Sequence, residues 1–180
     1  MPTGQGKVVS GMTCEVDIQL EDGLQCAITE EEITSICGKV LEEEGVRRFC
    51  DVSVSVVTDE RMQELNLEWR GQDRPTDVIS LECERPDDPL LAEGEPCQLG
   101  DIVIAPSYIA TQAQGFGTTE ADETRLLLVH GMLHLLGYDH VEDEEAEVME
   151  AREDELLSLM RTDRDLGGVV LTRHKGEDAP

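Results

Sequence analysis

Positive charge is scarce in this sequence. Its 180 residues include 14 Lys and Arg against 41 Asp and Glu, which gives a formal net charge of −27. Such a surface repels nucleic acid at long range, which argues against a protein that coats DNA or RNA. An enzyme with a local cationic site remains compatible with this charge.

Long apolar runs are missing as well. No stretch approaches the roughly 20 apolar residues that a transmembrane helix needs. Residues 1–11 contain one lysine and no apolar segment of the kind found in signal peptides. The expectation is therefore a cytoplasmic protein with no membrane partner. Its single domain is expected at residues 12–161, between flexible termini at 1–11 and 162–180.

The cysteines contain no C-x-x-C pair. Without an export signal, we expect them to be reduced and mostly buried, and a disulfide framework is the weaker alternative. The six positions are Cys14, Cys26, Cys37, Cys50, Cys83 and Cys97.

Hydrophobic periodicity predicts an α+β fold. Alternating or short apolar segments predict about four strands, at residues 14–20, 52–57, 78–81 and 99–104. Segments with helical spacing follow these strands and predict helices packed on one mixed sheet. The second helix should bury a stripe of Met62, Leu65 and Trp69, and residues 82–98 should form an acidic, proline-containing surface loop.

Three of the four histidines lie within eleven residues, H-G-M-L-H-L-L-G-Y-D-H. His130 and His134 are one helical turn apart on the same face. Gly137 suits a left-handed helix stop, after which the chain can return His140 to that face. Three imidazoles with a fourth position left open are typical of a catalytic zinc site. Nickel, cobalt or copper could bind the same ligands, and His174 is expected to be a solvated bystander.

The spacing H-x-x-x-H-x-x-G-x-x-H is that of the metzincin metallopeptidases, and it predicts a metzincin-like zinc helix. The glutamate that serves as the peptidase base is replaced by Gly131. A metal site tolerates this change, but the peptidase base is lost. A mid-helix glycine costs about 1 kcal/mol relative to alanine, so Gly131 indicates either room for a substrate or close backbone packing.

Each histidine ligand also needs its second ring nitrogen held by an acceptor. The acids that we consider for that role are Asp77, Asp101 and Asp139. A zinc ion in such a site would bring the pKa of its bound water close to 7, which supplies hydroxide at cytosolic pH.

Together with W-R-G-Q-D-R-P-T-D-V-I-S-L at residues 69–81 and L-G-D-I-V-I at 99–104, the histidine block resembles the YbeY family. The resemblance covers about residues 12–161. It implies a zinc-dependent endoribonuclease, specific for single strands, that acts in rRNA maturation (16S 3′-end processing) and late ribosome quality control. It also implies one zinc ion per chain, held by His130, His134 and His140, and it singles out Arg70 as a functional residue.

Phosphate chemistry is consistent with that role for Arg70. A guanidinium can bind two phosphoryl oxygens at once while negative charge builds on them, and Arg74 could hold a neighbouring phosphate. The alternative for Arg70 is an ordinary loop salt bridge. The competing functions are a metallopeptidase and a non-catalytic ribosome-assembly factor stabilised by a metal. The expected partners are single-stranded rRNA and the small ribosomal subunit or a ribosomal protein.

Overall fold

The computed structural model describes residues 14–139 and 141–160. The expected termini, His140 and His174 therefore lie outside the described residues. Within these ranges the chain forms four strands and five helices. In chain order they are β1 (Cys14–Leu20), α1 (Glu30–Glu43), β2 (Cys50–Val56), α2 (Asp59–Arg70), β3 (Val78–Glu82), β4 (Cys97–Ile104), α3 (Pro106–Phe116), α4 (Glu120–Leu135) and α5 (Asp143–Ser158).

The four strands form one mixed sheet in the order β1-β2-β4-β3. Strands β1, β2 and β4 are parallel, and β3 pairs antiparallel to β4 at the edge of the sheet. The register places Cys50 beside Cys97 at one end of β4 and Val78 beside Ile104 at the other. The prediction of an α+β fold with about four strands is confirmed.

Helices cover both faces of the sheet. On one face α1 and α4 pack over the strands around a core that includes Ile33, Val54 and Leu127. On the other face a smaller cluster joins Met62 of α2 to Ile79 of β3. Since neighbouring strand residues point to opposite faces, this smaller cluster lies across the sheet from α4. Helix α5 packs against α4 and contributes side chains to the core between α1, α4 and the sheet.

Some local predictions differ from the structure. Strand β4 begins at Cys97 rather than Leu99, so the surface loop is shorter than expected. Helix α3 ends at Gly117, which adopts the left-handed conformation at φ 70°, and Gly115 lies inside the helix. Trp69 was expected on the buried stripe of α2 but is 56% exposed, because the small cluster on that face ends at Leu65.

The cysteine prediction is confirmed. All six cysteines are free, four of them are buried, and only Cys83 is exposed. Burial raises the pKa of the Cys14 thiol to about 11, and the neighbouring Asp51 carboxylate adds to that shift. None of the helices in the described ranges is long and apolar enough to cross a membrane.

Candidate active site

Helix α4 presents the first two histidines of the motif. Thr119 caps its first turn by accepting a hydrogen bond from the Asp122 amide at 3.1 Å. The helix is buried on nearly all sides. His130 is buried and His134 is half-buried, and their Nε2 atoms lie 3.0 Å apart.

The Nδ1 atom of His130 contacts Oε1 of Glu153, which reaches it from α5. Both side chains are almost fully buried. Because an ionised carboxylate can only accept hydrogen bonds, it places the ring proton on Nδ1 and leaves the Nε2 lone pair facing His134. This is the orientation that a histidine needs in order to bind a metal through Nε2.

None of the three aspartates considered for this role is the partner of His130 Nδ1, and for His134 and His140 they stay a prediction. Asp101 is exposed on β4 and Asp139 is exposed in the turn after α4. The carboxylate of Asp77 instead accepts a hydrogen bond from the Val78 amide at 2.7 Å, where it starts β3. The partner of His130 comes instead from α5.

A signal for Glu153 was present in the sequence. Glu153 follows Met149 by four residues and precedes Leu156 by three, so it lies on the buried stripe of α5. An acid on an apolar stripe is costly to bury unless it has a partner. The stripe could be recognised from the pattern, but His130 could not be identified as the partner.

Gly131 is explained by close packing of α4 on the sheet. A Cβ atom at this position would lie 3.1 Å from Oγ of Ser80 and 3.2 Å from Cδ1 of Ile102. Of the two alternatives, close backbone packing is therefore the correct one. A side chain at the position of the peptidase base would therefore need Ser80 and Ile102 to shift by a few tenths of an ångström.

Gly137 ends the motif helix as predicted. Its φ is 104°, and its amide donates to the His134 carbonyl at 3.0 Å. The Tyr138 amide then donates to the Leu133 carbonyl at 3.0 Å, so the chain turns away from the helix axis at once. This turn is the conformation expected before a returning third histidine.

That third histidine, His140, lies outside the described residues. Among the residues that the structure does describe, no three His, Cys, Asp or Glu side chains are grouped so that they could hold a metal. The structure thus brings together two of the three predicted ligands. Two zinc ligands at about 2.05 Å in a tetrahedron lie about 3.3 Å apart, which is close to the observed 3.0 Å between the two Nε2 atoms.

Arg70 is the exposed last residue of α2. Gly71 ends this helix in the left-handed conformation at φ 70°, as its lack of a side chain permits. The following loop leads into β3, where Ser80 lies against Gly131, the neighbour of His130. The loop between Arg70 and β3 thus connects the arginine to the strand on which the histidine helix packs.

The chain is similar to known proteins of one family. The sequence profile of the family described as Endoribonuclease YbeY matches residues 16–161. A protein named Endoribonuclease YbeY from Salinispora tropica is 39% identical over 155 residues, which cover 83% of this chain and 98% of that protein. Another with this name, from Bacillus velezensis, is 40% identical over 149 residues, or 81% and 95% of the two chains. The solution structure of TM1509 from Thermotoga maritima is similar with a TM-score of 0.53 and 27% identity, over 79% of this chain and 87% of that one.

Proposed function

Because the chain belongs to the YbeY endoribonuclease family, we propose that it is a zinc-dependent endoribonuclease that cleaves single-stranded rRNA. Its proposed roles are 16S 3′-end maturation and late ribosome quality control, and its proposed location is the cytoplasm. The observation that supports the proposal best is the convergence of two Nε2 atoms, one of them oriented by a buried carboxylate.

The proposed ligands of one zinc ion are His130, His134 and His140. The Nδ1–Glu153 contact supports this assignment, since it leaves Nε2 of His130 without a proton. When bound, a zinc ion supplies Lewis-acid chemistry, which polarises a phosphoryl oxygen and makes water a better nucleophile near neutral pH. The role of Glu153 is to hold the His130 ring in place.

Arg70 is proposed to bind the phosphodiester that is cleaved. Its guanidinium carries a permanent charge and can donate two parallel hydrogen bonds to phosphoryl oxygens. Those bonds strengthen as negative charge develops on the oxygens, so they lower the barrier more than they strengthen substrate binding. Arg70 lies exposed at the end of α2.

A metallopeptidase is disfavoured by the packing at Gly131. The glutamate base that peptidases of this spacing use is absent, and a Cβ atom at its position would already lie 3.1 Å from Ser80 Oγ and 3.2 Å from Ile102 Cδ1. A net charge of −27 also repels free RNA. We therefore propose that the small ribosomal subunit or one of its proteins recruits the enzyme, so that local contacts offset the long-range repulsion.

The test compares the full-length wild type with His134→Ala and Arg70→Ala. We expect about one zinc per wild-type chain and cleavage of a single-stranded rRNA fragment. His134→Ala should lose both, and Arg70→Ala should keep the metal but lose roughly 100- to 1000-fold in kcat. His174→Ala is the matched control, because it removes the one histidine outside the motif and should change neither.

Zinc content is measured by elemental analysis, and cleavage is followed on denaturing gels across a range of salt. The proposal fails if zinc-loaded wild type cleaves no single-stranded RNA at any salt concentration. It also fails if His134→Ala cleaves as the wild type does. Casein hydrolysis that is lost on chelation would point to the metallopeptidase instead.

A further inference from the structure

Helix α2 carries a tryptophan that the core does not use. Trp69 is the one tryptophan in the sequence, and it is 56% exposed. Leu65, one turn earlier, packs into the small cluster beneath α2, whereas the ring of Trp69 lies beyond that cluster. A large aromatic ring left in water offers a flat apolar surface that a planar ligand can cover.

The loop after α2 is held against the helix, so the surroundings of Trp69 are ordered. Asn66 lies one turn before Trp69 and is 1% exposed. Its side-chain Nδ2 donates to the backbone carbonyl of Arg74 at 2.8 Å, and its backbone carbonyl accepts from the Gln72 amide at 3.3 Å. Gln63 adds a bond to the Asp73 carboxylate at 2.9 Å. These contacts bring Arg74 back beside the last turn of α2.

Arg74 differs from most other cations of this acidic chain. In the described ranges, no carboxylate lies within salt-bridge distance of its guanidinium, which instead donates to Gln72 Oε1 from Nε at 3.2 Å and Nη2 at 3.0 Å. Among the cations that pair with carboxylates are Lys39, Arg61, Arg85, Arg125 and Arg152. An exposed guanidinium held by a neutral amide keeps its full positive charge for an anionic ligand.

The same loop leads directly towards the histidines. It enters β3 at Val78, and Ser80, two residues or about 7 Å further along the strand, lies against Gly131 beside His130. Six residues separate Arg74 from Ser80, so their Cα atoms are at most about 22 Å apart. Because β3 is the edge strand of the sheet, a nucleic-acid strand of a few nucleotides can pass around it from the α2 end to the face that carries the histidines. Exposed aromatic rings beside arginines are the usual platform for single-stranded RNA, because bases stack on the ring while phosphates bind the guanidinium.

We propose that Trp69 and Arg74 form a nucleotide subsite for the substrate strand, in which the indole stacks on one base and the guanidinium binds an adjacent phosphate. This inference rests on the proposed function and adds a specificity element to it. Because paired bases in a duplex are not free to stack on the ring, the subsite selects unpaired RNA.

The single tryptophan provides a direct probe of this subsite. Full-length protein is titrated with a 12-nucleotide single-stranded RNA in the presence of a chelator, so that binding is observed without cleavage. Base stacking should quench the fluorescence of Trp69, and a duplex of the same sequence should leave it unchanged at equal concentration. Binding is followed in parallel by the anisotropy of a dye on the RNA.

Cleavage kinetics of the zinc-loaded protein supply the second readout. Trp69→Ala should raise KM by about 5- to 150-fold, the loss expected for one stacked base, with kcat nearly unchanged. Trp69→Phe should recover most of the loss. Leu67→Ala is the matched control, since Leu67 is a 49% exposed apolar residue on the same helix.

Arg74→Ala should also raise KM. The slope of log KM against log salt concentration should fall by about one, the value expected for the loss of one phosphate contact. Its control is Arg47→Ala, an exposed arginine in the loop before β2. That loop enters the sheet where Cys50 pairs with Cys97, about seven residues or 23 Å along β4 from the Val78 end. Arg47→Ala should leave KM unchanged.

The subsite is overturned if single-stranded RNA binds and is cleaved while the fluorescence of Trp69 and the KM of Trp69→Ala stay unchanged. It is also overturned if Trp69→Ala abolishes binding to ribosomal subunits but leaves the KM for the oligonucleotide unchanged, since the ring would then contact protein rather than RNA. Absence of cleavage by the zinc-loaded wild type is a different result, and it contradicts the proposed function itself.

Discussion

Replacement of Gly131 by alanine tests how closely the histidine helix lies on the sheet. In a helix interior, alanine is favoured over glycine by about 1 kcal/mol. Here the added Cβ would lie 3.1 Å from Ser80 Oγ and 3.2 and 3.3 Å from two atoms of Ile102. Overpacking of this kind costs about 1–3 kcal/mol. Gly131→Ala should therefore lower the free energy of unfolding by about 0–2 kcal/mol, despite the gain in helix propensity.

Gly115→Ala is the matched control. Gly115 also lies in a helix, α3, but a Cβ there would meet nothing within 4 Å. Without a steric cost, only the propensity term remains, and it should stabilise the protein by about 0.5–1 kcal/mol. The free energies of unfolding of the two variants should therefore differ by about 1–3 kcal/mol. We expect Gly131→Ala to destabilise the protein and Gly115→Ala to stabilise it.

Urea denaturation of the full-length variants measures both values, with the slope m used to confirm that the unfolding transition is comparable. Ser80→Ala should relieve part of the cost, because it removes the atom nearest to the new methyl group. The double variant should therefore show a coupling of at least about 0.5 kcal/mol. If Gly131→Ala stabilises the protein as much as Gly115→Ala does, the helix is not packed as closely as described, and the steric argument against a peptidase base is wrong.

Two further predictions concern buried ionisable groups. Glu153→Gln should weaken zinc binding by about 10- to 100-fold, because the amide orients the His130 ring less firmly. Zinc affinity is measured by competition with a chelator, with Glu145→Gln on the exposed face of α5 as the control. An unchanged zinc affinity of Glu153→Gln would rule out the orienting role. The second prediction follows from the Cys14 thiol, whose pKa is about 11 in the folded protein against 9.0 when unfolded. The stability that this thiol contributes is present below pH 9 and is lost as the pH rises towards 11. By pH 10, the free energy of unfolding of the wild type should therefore have fallen by about 1.4 kcal/mol more than that of Cys14→Ala. Urea midpoints at pH 8 and pH 10 give the comparison, and equal losses in the two proteins would contradict the assignment.

Much of the local structure could be predicted from the sequence, because local structure follows from periodicity. Alternation at residues 14–20 identified the first strand, and the bounds predicted for the four strands differ from those in the structure by only a few residues. The spacing of His130 and His134 made a shared face unavoidable once the segment was a helix. Gly131 excluded the peptidase base for the simplest reason, since glycine has no side chain.

Tertiary structure decided what those local elements contact. Glu153 is 23 residues from His130 in the chain, and only the packing of α5 on α4 makes it the partner of the ring. The exposure of Trp69 likewise depends on where the small cluster under α2 ends, which the periodicity of that helix cannot reveal. Spacing along a chain determines which side chains share a face, whereas packing against other elements determines whether that face meets a core, a carboxylate or water. The two histidines could therefore be predicted as a pair from the sequence, but the residue that orients the first of them could be identified only in the folded protein.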